Sequence, residues 1–324
     1  MKDVINSKEM QRVTATREMQ PYNHPTRAMY IGAPGKVGYL RLGFELDKSG
    51  KSIMRDLQRM APLIVQQELY CDEGMPAMPV VYILSSGGPN VDGDRYEQEI
   101  MMRKGSIAHV TTGAATKIAE MNDNFSALCQ NIVLEDDSYL EFMPEPTIPC
   151  RTARYVTLTD ITCAPTATLF YSEIFSCGRK HRDEPEIFDY DILSVTCEAR
   201  RPDGQRLFRE KFVIEPKAQN PSMLGIMGRY QMFANVIVLT PPDKAEEIYN
   251  ATEAGFSNNG DLATGITRLP NNAGLLFKVM GMETEPVKKA VRSFASTVRM
   301  SVKGHPLLPD FPMAMNPEGT VRHI

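Results

Sequence analysis

Tryptophan is absent from this 324-residue chain and histidine is scarce, with five copies. The six cysteines (Cys71, Cys129, Cys150, Cys163, Cys177 and Cys197) all lie thirteen or more residues apart. No CxxC clip for zinc or dithiol chemistry can therefore be assembled locally. They read as reduced, buried apolar fillers; the spacing leaves a pair such as Cys163 with Cys177 open, but a reducing compartment disfavours it. Basic excess is also missing: 36 Lys and Arg against 40 Asp and Glu give a formal charge of −4 and a pI near 5.8. Such a balance offers no general field for nucleic acid. Nowhere do about eighteen apolar residues run together, and the opening MKDVINSKEMQRVTATREMQ lacks the apolar core of a signal peptide. The expectation is a soluble, cytoplasmic protein with neither a membrane nor a nucleic acid as partner.

What is present is enough chain for a sizeable core, in one large domain or two smaller ones. The 20 methionines suit core filling, or a partner surface that repacks. Residues 1–29 read as a polar, loosely ordered arm, 30–308 as a β-rich domain with an α/β portion from about 240, and 309–324 as a tail. Short apolar or alternating runs at 37–46, 79–84, 95–102, 106–112, 127–134, 138–143, 153–161, 166–175, 186–199, 206–214 and 233–239 predict strands. Lys104-Gly105, Asp136-Asp137 and Pro202-Asp203-Gly204 separate such runs as hairpin or solenoid corners would. Helices are expected only late, in PPDKAEEIYNA and in EPVKKAVRSFASTVRM. The second carries Val287, Ala290, Val291, Phe294 and Val298 on one stripe, with Thr284 as candidate N-cap. KSIMRDLQRMA fits either period. The fold class is mainly β, a stacked-sheet or β-helix-like scaffold with a few helices towards the C-terminus.

The stretch SSGGPNVDGDR (85–95) has the glycine spacing of a phosphate-cradling loop, but Asp94 and Arg95 stand where Lys and Ser or Thr belong. A carboxylate there repels the anion the loop should hold, and RYEQEIMM after it alternates with a strand's period of two. A turn that places an acid is the better reading. Glu173 interrupts the apolar run TLFYSEIF, and Glu210 sits within RLFREKFVI. Embedded acids are costly unless they are paired, protonated or hydrated, so Arg95, Arg179, a wet channel or a passing cation should compensate them. The bland alternative is that these acids face solvent or pair with Arg. A carboxylate acid/base pair of Asp94 and Glu173 would make the chain a hydrolase or lyase.

Other candidates carry less. His109 could ligate metal or be a satisfied strand histidine, and His181 lies in the charge-dense GRKHRDE turn, a solvated cluster or a docking surface. No G-x-S-x-G elbow supports a set of Ser172, His181 and Glu184, and Lys117 reads as an ordinary lysine. MPEPTIP presents a stiff apolar loop.

APLIVQQELY, the 85–95 loop, HVTTGAATKI, YLEFMPEPTIP, LFYSEIFSCGRK and GITRLPNNAGLLFKVMG follow one another in an order that resembles the urease accessory protein family UreD, also called UreH. The likeness runs from about residue 35 to about 308. Three positions depart from the family pattern: Ser86 for Pro, Gly113 for Gln and Cys150 for an aromatic. None removes an acid. The resemblance implies a non-enzymatic β-rich scaffold that binds apo-urease and the UreF protein, with the GTPase UreG joining through UreF. It also implies an internal passage for nickel, and for bicarbonate or carbon dioxide, with no cofactor permanently bound and Ni²⁺ only in transit. Matched to the family's passage positions, the residues are Asp94, Thr116, Glu173 and Glu210. Isolated carboxylates and a hydroxyl hold nickel weakly, as a conduit requires. On the same analogy the C-terminal helix and GITRLPNNAG face UreF.

Overall fold

The computed structural model describes residues 2–24, 35–308 and 311. Its body is two stacked sheets built from β1 (Val37–Leu46), β2 (Ser52–Met60), β3 (Leu63–Ile64), β4 (Val80–Ser85), β5 (Arg95–Met102), β6 (Ile107–Thr112), β7 (Thr116–Ile118), β8 (Ser126–Leu134), β9 (Tyr139–Phe142), β10 (Thr147–Pro149), β11 (Arg154–Cys163), β12 (Thr168–Ser176), β13 (Ile192–Arg200), β14 (Arg206–Ile214), β15 (Met232–Leu239), β16 (Leu262–Arg268) and β17 (Gly274–Gly281). The first sheet runs β14-β13-β11-β8-β5-β1-β2, and the second β16-β17-β15-β12-β9-β6-β4-β3. From β4 to β13, the short side strands β7 and β10 apart, the chain steps alternately between the sheets, and its strands pair in parallel within each. That is a solenoid-like coil closed at its ends by antiparallel strands, within the mainly β class expected from the sequence.

Its corners are alike. Arg103–Ser106 and Glu135–Ser138 each turn through a left-handed residue, Gly105 (φ 71°) and Asp137 (φ 60°). In each, the closing serine hydroxyl donates to the carbonyl three residues back, at 2.7 and 2.6 Å. Parallel strands covered on both faces lose the in-out alternation; β12 is buried along its whole length.

KSIMRDLQRMA proves to be β2, paired with β1 so that Leu57 lies opposite Leu42. The strand expected over 186–199 begins only at Ile192. Glu186 is buried in a turn where it accepts from the Arg151 backbone N–H at 3.0 Å and from Arg179 Nε at 2.7 Å, and Phe188 (φ 54°) is incompatible with a strand. GITRLPNNAGLLFKVMG carries the end of β16 and all of β17, which extend the second sheet.

Residues 2–24 are not a loose arm. Helix α1 (Lys8–Thr14), capped by Ser7, and the turn after it bury Val4, Met10, Val13 and Met19 against the outer face of the first sheet. Arg12 bridges Asp160 at 2.6 Å and Glu198 at 2.9 Å on that face. The few apolar residues of this stretch lie too far apart for a composition argument to notice. Helices α2 (Pro242–Ala251) and α3 (Thr284–Lys303) cover the outer face of the second sheet, where the expected stripe of Val287, Val291, Phe294 and Val298 is buried. Thr284 is the first helical residue rather than the cap, which is Glu283. The segment 309–324 lies outside the described residues except for Phe311, which is buried. No helix among the described residues is long and apolar enough to cross a membrane.

Candidate functional site

Between the sheets the core divides by polarity. One end is dry, filled by side chains such as Leu42, Phe44, Ile132, Leu169 and Ile237. The other holds a cavity of about 470 Å³, walled by Tyr96, Gln98, Gln130 and Thr157 from the first sheet and by Phe142, Tyr171, Glu173 and Phe175 from the second. Exposed Gly88, Pro89, Gly113, Ala114 and Lys117 also line it, so it reaches solvent between the loops at 88–90 and 113–117.

Strand register makes the polar wall continuous. Gln98, Gln130, Thr159, Cys197 and Glu210 occupy one row across the first sheet. Glu173, Asn235 and Lys278 occupy one row across the second. The rows meet where Asn235 Nδ2 donates to Glu210 Oε2 at 2.7 Å and Lys278 Nζ binds Glu210 Oε1 at 2.5 Å. On the dry side the seam is closed by Gln130, which donates to Gln98 at 3.0 Å and accepts from Thr159 at 3.0 Å and from Tyr171 at 3.3 Å. A polar seam thus leads from the cavity, past Glu173 and Asn235, to a half-buried carboxylate at the far edge.

The four residues singled out in the sequence fall in three places. Thr116 and Glu173 line the cavity. Glu210 lies at the seam's outer end, bonded to Asn235, which stands opposite Glu173 in strand register. Asp94 is fully buried behind Tyr96, outside the cavity lining. Its carboxylate accepts from the backbone N–H groups of Lys36 at 2.8 Å and Val91 at 3.0 Å and from the Tyr96 hydroxyl at 2.7 Å, and it pairs with Lys36 Nζ at 3.0 Å. The opening loop is therefore a turn folded around its own acid, and the strand β5 that follows provides no helix terminus for a phosphate. Nor do Asp94 and Glu173 share a cavity, as an acid/base pair must.

Lys36 neutralises Asp94, where the sequence suggested Arg95. Arg95 instead donates to Asn124 Oδ1 at 2.9 Å and to backbone carbonyls, and burial lowers its guanidinium to about 10 despite Asp94 nearby. Arg179 pairs with Glu186 and Glu120, away from the seam. Burial pushes the Glu173 carboxyl up to about 7, against a hydrogen bond from Tyr171 that favours the anion and with the Glu210 charge adding to the rise. The Cys197 thiol is driven well above its ordinary range by burial and by the Glu173 and Glu210 charges. Among the described residues none of the six cysteines forms a disulfide.

Three features escaped the residue reading. Asn235 carries no signal in FANVIVL beyond being the one polar residue in an apolar strand. Glu145 of MPEPTIP lies on the wall shared by the main cavity and a second one of about 250 Å³ beneath α3, and both its oxygens bind Lys288 Nζ at 2.8 Å. Glu141 is wholly buried on the outer side of the second sheet, held by Arg299 of α3 at 2.7 and 2.6 Å, by Tyr139 at 2.6 Å and by His109 at 2.8 Å. His109 is thus the satisfied strand histidine. Burial raises the Glu141 carboxyl, but the bonds from His109 and Arg299 outweigh it and hold the group down at about 2. Among the described residues no three His, Cys, Asp or Glu side chains are grouped as a metal site.

Fold and seam together define a class: a two-sheet β scaffold whose interior is polar along one line from cavity to edge. The family to which the chain belongs is that of the UreD urease accessory proteins, whose family model matches residues 36–312. The chain is 45% identical to urease accessory protein UreD 2 of Brucella ovis over 295 residues, 91% of this chain and 97% of that protein. It is 44% identical over 292 residues to UreD 3 of Methylorubrum populi, covering 90% and 94% of the two chains. UreD of Yersinia pseudotuberculosis is 40% identical over 287 residues, 89% of each chain. Membership makes the chain an accessory protein of the urease system.

Proposed function

We propose that this chain is a maturation scaffold without a catalytic centre, binding apo-urease and UreF, with UreG joining through UreF. Ni²⁺ is its cargo, moving through the interior seam on its way to the urease active site. The observation that carries this reading is the continuity of the seam, from a cavity open to solvent at Thr116, past buried Glu173, to half-buried Glu210. A buried carboxylate with no cation beside it is costly unless it is protonated, hydrated or visited by a cation, and the open cavity admits the last two. Oxygen donors spaced along a line attract a late first-row ion but do not retain it as grouped imidazoles or thiolates would.

The cytoplasm, where urease is assembled, is the compartment this role requires. The deciding comparison expresses the urease structural genes with the full accessory set, with and without this chain, and measures nickel per urease. Nickel should fall to a small fraction when the chain is omitted. Equal loading in both cases would end the reading.

A further inference from the structure

Three oxygen atoms at the cavity and along the seam have no hydrogen-bond partner among the described residues: Glu173 Oε2, Asn235 Oδ1 and Thr157 Oγ1. They belong to residues only 8, 2 and 4% exposed. Buried polar atoms are paired as a rule, so these unpaired acceptors are open to a water or an ion. Asn235 is the informative one. Its Nδ2 is committed to Glu210, which fixes the flip of the amide and leaves Oδ1 as a free acceptor. Register places Glu173 directly opposite it on β12. Lys278, next in the row, holds the other oxygen of Glu210.

We propose that Asn235 is a cation-binding residue of the seam, handing a partly hydrated divalent ion from Glu173 to Glu210, and that the neutrality of its amide sets how briefly the ion stays. The inference rests on the passage reading above. An amide oxygen between two carboxylates supplies a ligand without a third charge, so the ion is steered yet free to leave. An aspartate at this position would face Glu173 and Glu210 together and convert the station into a trap. A leucine would remove the ligand and the tether on Glu210 while filling the space.

The test uses the full chain, loaded with Ni²⁺ alone, as wild type, N235L, N235D and E173Q. Affinity is measured by calorimetry and release is followed with a chromogenic chelator. N235L should weaken nickel binding by about tenfold and N235D should slow release by about tenfold, the size expected for altering one oxygen ligand or its support. Cooperative melting of each variant verifies the fold. If N235L does not fold, the nearly isosteric N235D decides. Wild-type affinity and release in the Asn235 variants, with binding lost in E173Q, would overturn this assignment and leave the passage standing. Wild-type behaviour in E173Q as well would remove the passage itself.

Discussion

Asp94 and Glu173 are both acids embedded among apolar residues, yet their surroundings assign them opposite work. Three hydrogen-bond donors and an ammonium converge on Asp94. D94A should therefore destabilise the fold by about 3 kcal/mol, because it leaves Lys36 and two backbone N–H groups facing a void; urea unfolding measures it, and a loss below about 1 kcal/mol would show that the loop does not depend on its acid. Glu173 has no such company and keeps its proton up to about 7. A carboxyl raised in the folded state contributes stability that is complete below its unfolded value, near 4.5, and is lost as pH rises through about 7. E173Q has no charge to bury. Its stability relative to wild type should be flat near pH 4 and rise by roughly 2–3 kcal/mol towards pH 8. A difference independent of pH would mean that Glu173 titrates as an ordinary surface acid.

At the scale of elements, the strands of the coil were legible where each carries its own pattern. RYEQEIMM alternates because β5 has the cavity on one side and the outer face, with Glu97 beside Lys2, on the other. The corners at Gly105 and Asp137 were legible through their turn chemistry. The coil itself was not, since its rungs differ in length and impose no fixed repeat. β16 and β17 were missed because GITRLPNNAG reads as turn chemistry first. The docking of α3 was half visible: its apolar stripe is plain in sequence, but Arg299 looks like one more exposed cation and is instead wholly buried between Asp72 and Glu141. R299M leaves two carboxylates buried without their partner and should cost about 3–5 kcal/mol, far more than an exposed Arg would. The expected signature is a lower urea midpoint together with faster amide exchange along α3. Acid acts on the same clamp: Glu141, depressed to about 2, gives stability that is present above 4.5 and lost as pH falls towards 2.

For the whole molecule, the seam matters because no single element makes it. Its donors come from both sheets, on strands distant in sequence and aligned only by register, which is why Asn235 carried no signal while Glu173 and Glu210 did. A passage also separates two kinds of failure that a docking surface alone would not. Glu210 is half-buried at the edge and its carboxylate is bonded, among the described residues, only to Asn235 and Lys278, so E210A removes a station while the sheets stay packed. Co-expressed with urease and the other accessory proteins, E210A should be recovered in the same complexes as wild type, with nickel per urease lowered several-fold. D94A, whose defect is in the fold, should lose recovery and nickel together. If E210A instead loses its partners while the free chain melts as wild type does, the edge at Glu210 is an interface and not an exit, and the ion would have to leave the cavity between the loops at 88–90 and 113–117 by which it entered.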